Sequence, residues 1–92
     1  MGHHHDRSPM ILKVALRQAL RRLREEERIF EELEHLSGHL EWEELASRSR
    51  EVREALTKTA AELEKMIEEA QRLQADLAEH HHGHEGHSHG RG

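Results

Sequence analysis

The chain has no cysteine and no tyrosine, and its only aromatic residues are Phe30 and Trp42. The absence of cysteine excludes disulfides, thiolate metal ligands and cysteine nucleophiles. Few aromatics and a net charge of −5, from 19 Asp and Glu against 14 Lys and Arg, argue against nucleic acid as a partner. No apolar run is long enough to span a membrane, so we expect no membrane partner and a cytoplasmic location.

Proline and glycine are also scarce, since Pro9 is the only proline and Gly38 is the only glycine of the central segment. Ser8 and Pro9 suit a helix start, with Ser8 as the N-cap and Pro9 in the first helical position. Alanine, leucine, glutamate and arginine then dominate, and all four favour helix. The sequence therefore predicts an all-α chain with three parts: a flexible, His-containing N-terminus over 1–8, a helical coiled-coil domain over 9–79, and a disordered His/Gly-rich tail over 80–92.

The apolar residues alternate at spacings of three and four, which is typical of helices that pack along a seam. The stronger seam contains Trp42, Leu45, Ser49, Val52, Leu56, Thr59, Leu63, Met66, Ala70, Leu73 and Leu77. A weaker seam, in a different heptad phase, contains Leu12, Leu16, Ala19, Leu23, Glu26, Phe30, Leu33, Ser37 and Leu40.

The phase changes at Ser37 and Gly38, and glycine favours the left-handed conformation that closes a helix. We therefore expect two helices, over about 9–36 and 39–79, in an antiparallel hairpin. A reversal at Gly38 places residues opposite each other when their numbers sum to about 78 or 79. The alternative is one long helix that continues through Gly38 and dimerises along its length.

The two predicted helices differ in length, which leaves the end of the second helix uncovered. At about 1.5 Å per residue the second helix is longer by roughly 20 Å, so Ala70, Leu73 and Leu77 extend beyond the first. A second copy of the chain is the simplest cover. We expect a homodimer with a four-helix or extended coiled-coil core.

Histidine is the residue in excess, with 11 of 92 residues. Glycine-interleaved histidines near the C-terminus suit capture of Ni²⁺, Zn²⁺ or Cu²⁺, because neutral imidazole binds these ions and glycine lets several rings converge. The candidate tail ligands are His80, His81, His82, His84, His87 and His89. His3 and His4 form a second candidate site at the amino terminus, where MGHHH also resembles the start of a purification tag.

His35 and His39 are a third candidate. Spaced i and i+4, they would share one helix face if the helix ran on through Gly38, whereas in the hairpin both lie at the bend, within reach of each other. The structural interpretation is that His35 is a cation near a helix C-terminus and His39 a loop residue. The glutamate clusters are interpreted as solvated helix faces that pair with arginines. With no glycine-rich phosphate loop and no HExxH motif, we expect no enzymatic activity and no catalytic residues.

A helical body, a histidine-rich C-terminal tail and the pair His35-Leu36-Ser37-Gly38-His39 near Trp42 resemble the CooJ family of nickel accessory proteins. The resemblance implies a cytoplasmic homodimer that binds Ni²⁺ and delivers it to a client such as carbon monoxide dehydrogenase. The tail here is short and lacks cysteine, which departs from that family. We therefore predict a metallochaperone or metal-storage protein. The alternative is a designed or structural helical oligomer whose histidines are tag remnants.

Overall fold

The computed structural model describes residues 7–86, with the side chains of residues 7–77. Within that range the chain is all-helical and forms two antiparallel helices, α1 (Ser8–His39) and α2 (Glu43–Gly86), which pack against each other as a hairpin. The predicted all-α class and the predicted hairpin are confirmed. No helix in this range is long and apolar enough to cross a membrane.

The chain reverses three residues later than predicted, at Leu40, Glu41 and Trp42. The Trp42 amide donates a hydrogen bond to the Ser37 carbonyl at 2.9 Å, and the Glu41 amide donates one to the Gly38 carbonyl at 3.0 Å. This bonding pattern is a Schellman motif, and its left-handed position is Glu41, with φ of 65°. The expectation that α1 ends at Gly38 is wrong, because Glu41 and not the glycine adopts the left-handed conformation.

Both outer helix ends also differ from the sequence prediction. Arg7, rather than Ser8, is in the N-cap position, and it makes no side-chain capping bond. Helix α2 runs to Gly86 and so includes the first histidines of the predicted tail. Residues 87–92 and 1–6 lie outside the described residues.

The contact between the helices has a strict heptad pattern, in which positions a and d are buried or half-buried. In α1 these positions are Pro9, Lys13, Leu16, Leu20, Leu23, Glu27, Phe30, Glu34 and Ser37. In α2 they are Ala46, Ser49, Arg53, Leu56, Ala60, Leu63, Ile67, Ala70 and Gln74. Leu16 and Leu56 occupy d, and Leu20 and Ala60, four residues later, occupy a. In both helices an e residue therefore comes directly after a d residue, and a g residue comes directly before an a residue.

About half of the residues in the stronger predicted seam lie in the contact between the helices. Its d residues, such as Leu56 and Leu63, lie in the contact, whereas its other residues occupy g and are exposed, as Leu45 and Met66 show. The predicted pairing is also shifted, because Leu12 lies near Leu73 in one cavity and not opposite Met66. Facing residues in the hairpin sum to about 85, as the later reversal of the chain requires.

Polar residues occupy several a positions and explain why the a/d seam is hard to recognise. Arg50 and Arg53 each donate a hydrogen bond to the Glu34 carboxylate, at 2.9 and 3.0 Å. Glu27 accepts hydrogen bonds from Thr57 and, at 3.1 Å, from Arg24. The half of the hairpin near the bend is therefore held by these polar contacts as well as by apolar packing.

Candidate metal site at the bend

His35 and His39 both lie in the last two turns of α1, because the helix continues through Gly38. Their spacing of four residues therefore lies on continuous helix, and both residues are exposed. The C-terminal end of a helix carries a partial negative charge that favours a bound cation. The sequence predicted the spacing, and the structure supplies the helical backbone that makes it one face.

The two histidines border an open groove of about 750 Å³ between the helices. Glu31 and Glu34 line it from α1, and Arg50 and Arg53 line it from α2. The hydrogen bonds from Arg50 and then Arg53 hold the pKa of Glu34 below its ordinary value of 4.5. Glu34 is thus a carboxylate already occupied by two guanidinium groups, and it is not a free metal ligand.

The geometry supports a two-histidine site and no larger one among the side chains described. Glu31 lies one turn before His35, but Glu31 and His39 are eight residues apart, or about 12 Å along the helix axis. The side chains of 7–77 contain no group of three His, Asp or Glu residues placed to hold an ion. Two imidazoles leave two or more coordination positions for water or for ligands from another segment.

Four of the remaining predicted ligands are far from this bend. His80, His81, His82 and His84 lie in the last turns of α2, at the opposite end of the hairpin, and their side chains are not described. At about 1.5 Å per residue, His80 is roughly 55 Å along α2 from the bend. His87, His89, His3 and His4 lie outside the described residues.

Sequence analysis missed the residues that surround the histidine pair, namely Glu34, Arg50 and Arg53. Their spacing along the chain gives no signal, because the ion pairs join residues 16 and 19 apart across two helices. Only a correct hairpin register would have brought these residues together. The glutamates of this region are not all simple solvated faces, since Glu34 is shared between two arginines.

No family model matches the chain, and comparison with curated proteins and with solved structures finds no similar protein. The resemblance to the CooJ family therefore depends only on the helical body, the histidine-rich C-terminal segment and the pair His35 and His39 near Trp42.

Proposed function

We propose that the protein is a non-enzymatic metal chaperone or storage protein that captures Ni²⁺, or Zn²⁺ or Cu²⁺, through its histidines. The observation that carries this proposal is the exposed pair His35 and His39 on one face at the C-terminal end of α1. The excess of histidine in the sequence supports it. By its resemblance to CooJ, the protein would act in the cytoplasm as a homodimer and deliver nickel to a client metalloenzyme such as carbon monoxide dehydrogenase.

The pair at the bend suits transient binding. Two imidazoles provide half of a four-coordinate set, so an incoming ligand can enter an open position before the first ligand leaves. Arg50 and Arg53 line the same groove as Glu31 and Glu34, so two formal positive charges are matched by two negative ones. Because both arginines hold the Glu34 carboxylate, Glu34 does not add a third ligand, and the open coordination positions stay available to a client.

The histidine-rich C-terminal segment would be a separate capture site. On helical backbone His80 and His84 are again four residues apart, the same spacing as His35 and His39. Because the two sites are at opposite ends of the hairpin, neither completes the other within one chain. Capture by the tail and binding at the bend are therefore independent in a single copy.

The bend site can be tested with Trp42, the only tryptophan of the chain, which is exposed beside the reversal. Cu²⁺ or Ni²⁺ bound at His35 and His39 should quench its fluorescence, in a chain ending at Glu79 as well as in the full chain. We expect His35→Ala to abolish the quenching and Ser47→Ala, an exposed control in the first turns of α2, to leave it unchanged.

Calorimetry on the chain ending at Glu79 can contradict the bend site. If that chain and its His35→Ala variant bind the same amount of Ni²⁺, or if neither binds any, the bend is not a metal site. The strict a/d pattern of the helices is what favours the alternative of a structural oligomer with tag-derived histidines. That alternative predicts no saturable binding at the bend.

A further inference from the structure

Each helix carries a second apolar row that the hairpin leaves exposed. Its members are g residues, which precede the a residues of the contact: Leu12 and Leu33 in α1, and Leu45, Val52, Met66 and Leu73 in α2. These side chains are 39 to 57% exposed. A strict two-helix seam needs apolar residues at a and d only, whereas an apolar face at a, d and g is the pattern of a helix in a larger bundle.

The g rows of the two helices lie on the same side of the hairpin. Arg24 and Glu64, each of which follows a d residue, form an ion pair across the helices, so the e residues of both helices share one edge. The g residues must then share the other edge. Leu12 and Leu73 confirm this arrangement, because they line one apolar cavity of about 370 Å³ between the helices.

We propose that this g face binds a second copy of the chain, so that two hairpins form a four-helix core. The proposal rests on the homodimer of the proposed function and assigns its surface. The g rows contain a single charged residue, Glu26, whereas the e edge carries the ion pairs.

The size of the face fits a self-associating surface. From Leu45 to Leu73 the g row of α2 extends about 42 Å, and two helices side by side are about 20 Å wide. The resulting patch of roughly 800 Å² per copy is what a stable protein interface buries on each side. The hairpin alone buries few apolar side chains, with Leu16, Ala60 and Ile67 as its only buried hydrophobic residues among 7–77.

The same assignment fixes where the histidine pairs lie in the dimer. His35 and His39 border the groove with Arg50, which is an e residue, on the edge opposite the g rows. When the g faces meet, the two grooves face outward on opposite sides of the bundle, about 20 Å apart or more. Each copy would then bind its own ion, and no ion would be shared between the copies at the bends.

Val52→Glu in the full chain tests the surface, with Val14→Glu as a matched control. Both valines are exposed in the hairpin, 40 and 49% respectively, but Val52 is a g residue and Val14 is a b residue on the outer face. We expect sedimentation equilibrium to show a dimer for the parent and for Val14→Glu, and a dimer weakened at least 100-fold in Val52→Glu. A monomeric parent, or equal weakening by both variants, would overturn the proposal.

If Val52→Glu fails to fold, more conservative variants can test whether the g face is buried in a dimer. Because the chain has no cysteine, Val52→Cys and Val14→Cys each introduce a single thiol. We expect alkylation of Val52→Cys to be at least 10-fold slower than that of Val14→Cys at concentrations where the chain is dimeric, and to accelerate on dilution. Equal rates at every concentration would contradict a buried g face.

The sedimentation and alkylation measurements are made without metal. A negative result in them therefore contradicts the g-face dimer and does not bear on metal binding. A chain that is monomeric yet binds Ni²⁺ would retain the metal function and lose the g-face dimer. A dimer that binds no Ni²⁺ would retain the g face and lose the metal function.

Discussion

Glu41 has the backbone conformation that reverses the chain, with φ of 65°. A side chain with a Cβ is strained in that conformation, and glycine is not. The glycine of this region is instead inside α1, three residues earlier, where its carbonyl accepts the hydrogen bond from the Glu41 amide. Because Glu41 and not Gly38 adopts the left-handed conformation, the sequence places the end of α1 at the wrong residue. The preference for glycine at the left-handed position is a statistical rule, and here the phase of the a/d contact outweighs it.

Gly38→Ala should stabilise the hairpin by about 0.5–1 kcal/mol, because alanine loses less conformational entropy than glycine in a helix. A Cβ at residue 38 would meet no atom within 4 Å, so no clash offsets the gain. Urea unfolding followed by helical circular dichroism measures the change. Destabilisation by this substitution would mean that α1 ends at Gly38 and that Glu41 is not the left-handed residue.

Acid should weaken the hairpin through Glu34 and Glu27. The pKa of Glu34 is lowered by Arg50 and Arg53, and the pKa of Glu27 is lowered mainly by the hydrogen bond from Thr57. A carboxyl whose folded pKa lies below its unfolded value stabilises the fold above the unfolded pKa, and this contribution is lost as pH falls through the folded pKa. We expect the free energy of unfolding to decrease as the pH is lowered below about 4.5. This pH range lies below the ordinary pKa of histidine, so histidine protonation does not cause the decrease.

Glu34→Gln should make that pH dependence shallower, since the amide does not titrate. The urea midpoint at pH 6 should be lower than in the parent, and the two midpoints should converge near pH 3. Glu32→Gln is the matched control, because Glu32 is exposed on the outer face of α1. An unchanged pH profile in Glu34→Gln would show that the two arginine contacts contribute nothing to folding.

At the scale of the helices, the 3-4 spacing predicted two packed helices and the d residues of their contact. It could not distinguish the a row from the g row, because polar residues such as Glu34 and Arg53 occupy a while leucine, valine and methionine occupy g. A seam chosen by hydrophobicity alone therefore follows d and g. The cause is physical: ion pairs between the helices replace apolar contacts at a, and their partners are remote in sequence.

Ala60→Leu separates the two seams. Ala60 is fully buried at an a position, so three additional carbons would force the helices apart and cost about 1–3 kcal/mol. Ala61→Leu changes the same residue type one position later, on the outer exposed face, and should shift stability by less than about 0.5 kcal/mol. Thermal melts in which both variants match the parent would contradict the a/d contact.

At the scale of the whole chain, the sequence predicted a candidate histidine pair but not its surroundings. The spacing of His35 and His39 identified the pair, but its position on one face depends on the continuation of α1 through Gly38, which the predicted hairpin did not have. The groove with Arg50 and Arg53 depends on a register that the chain reversal determines. His80, His81, His82 and His84 are separated from that groove by the length of the hairpin, so histidines lie at both of its ends.

The pH dependence of metal binding tests the histidine-rich segment as the capture site. Imidazole must be neutral to coordinate, and free imidazole side chains titrate near pH 6.5, so Ni²⁺ should be released between about pH 7 and 5. Charge acts in the same direction, because protonating all 11 histidines changes the formal charge from −5 to +6. We expect the full chain at pH 7.5 to bind several more Ni²⁺ ions than a chain ending at Glu79, by equilibrium dialysis, and to lose this excess by pH 5. Equal occupancy of the two chains at pH 7.5, or an excess that persists at pH 5, would rule out the histidine-rich segment as the capture site.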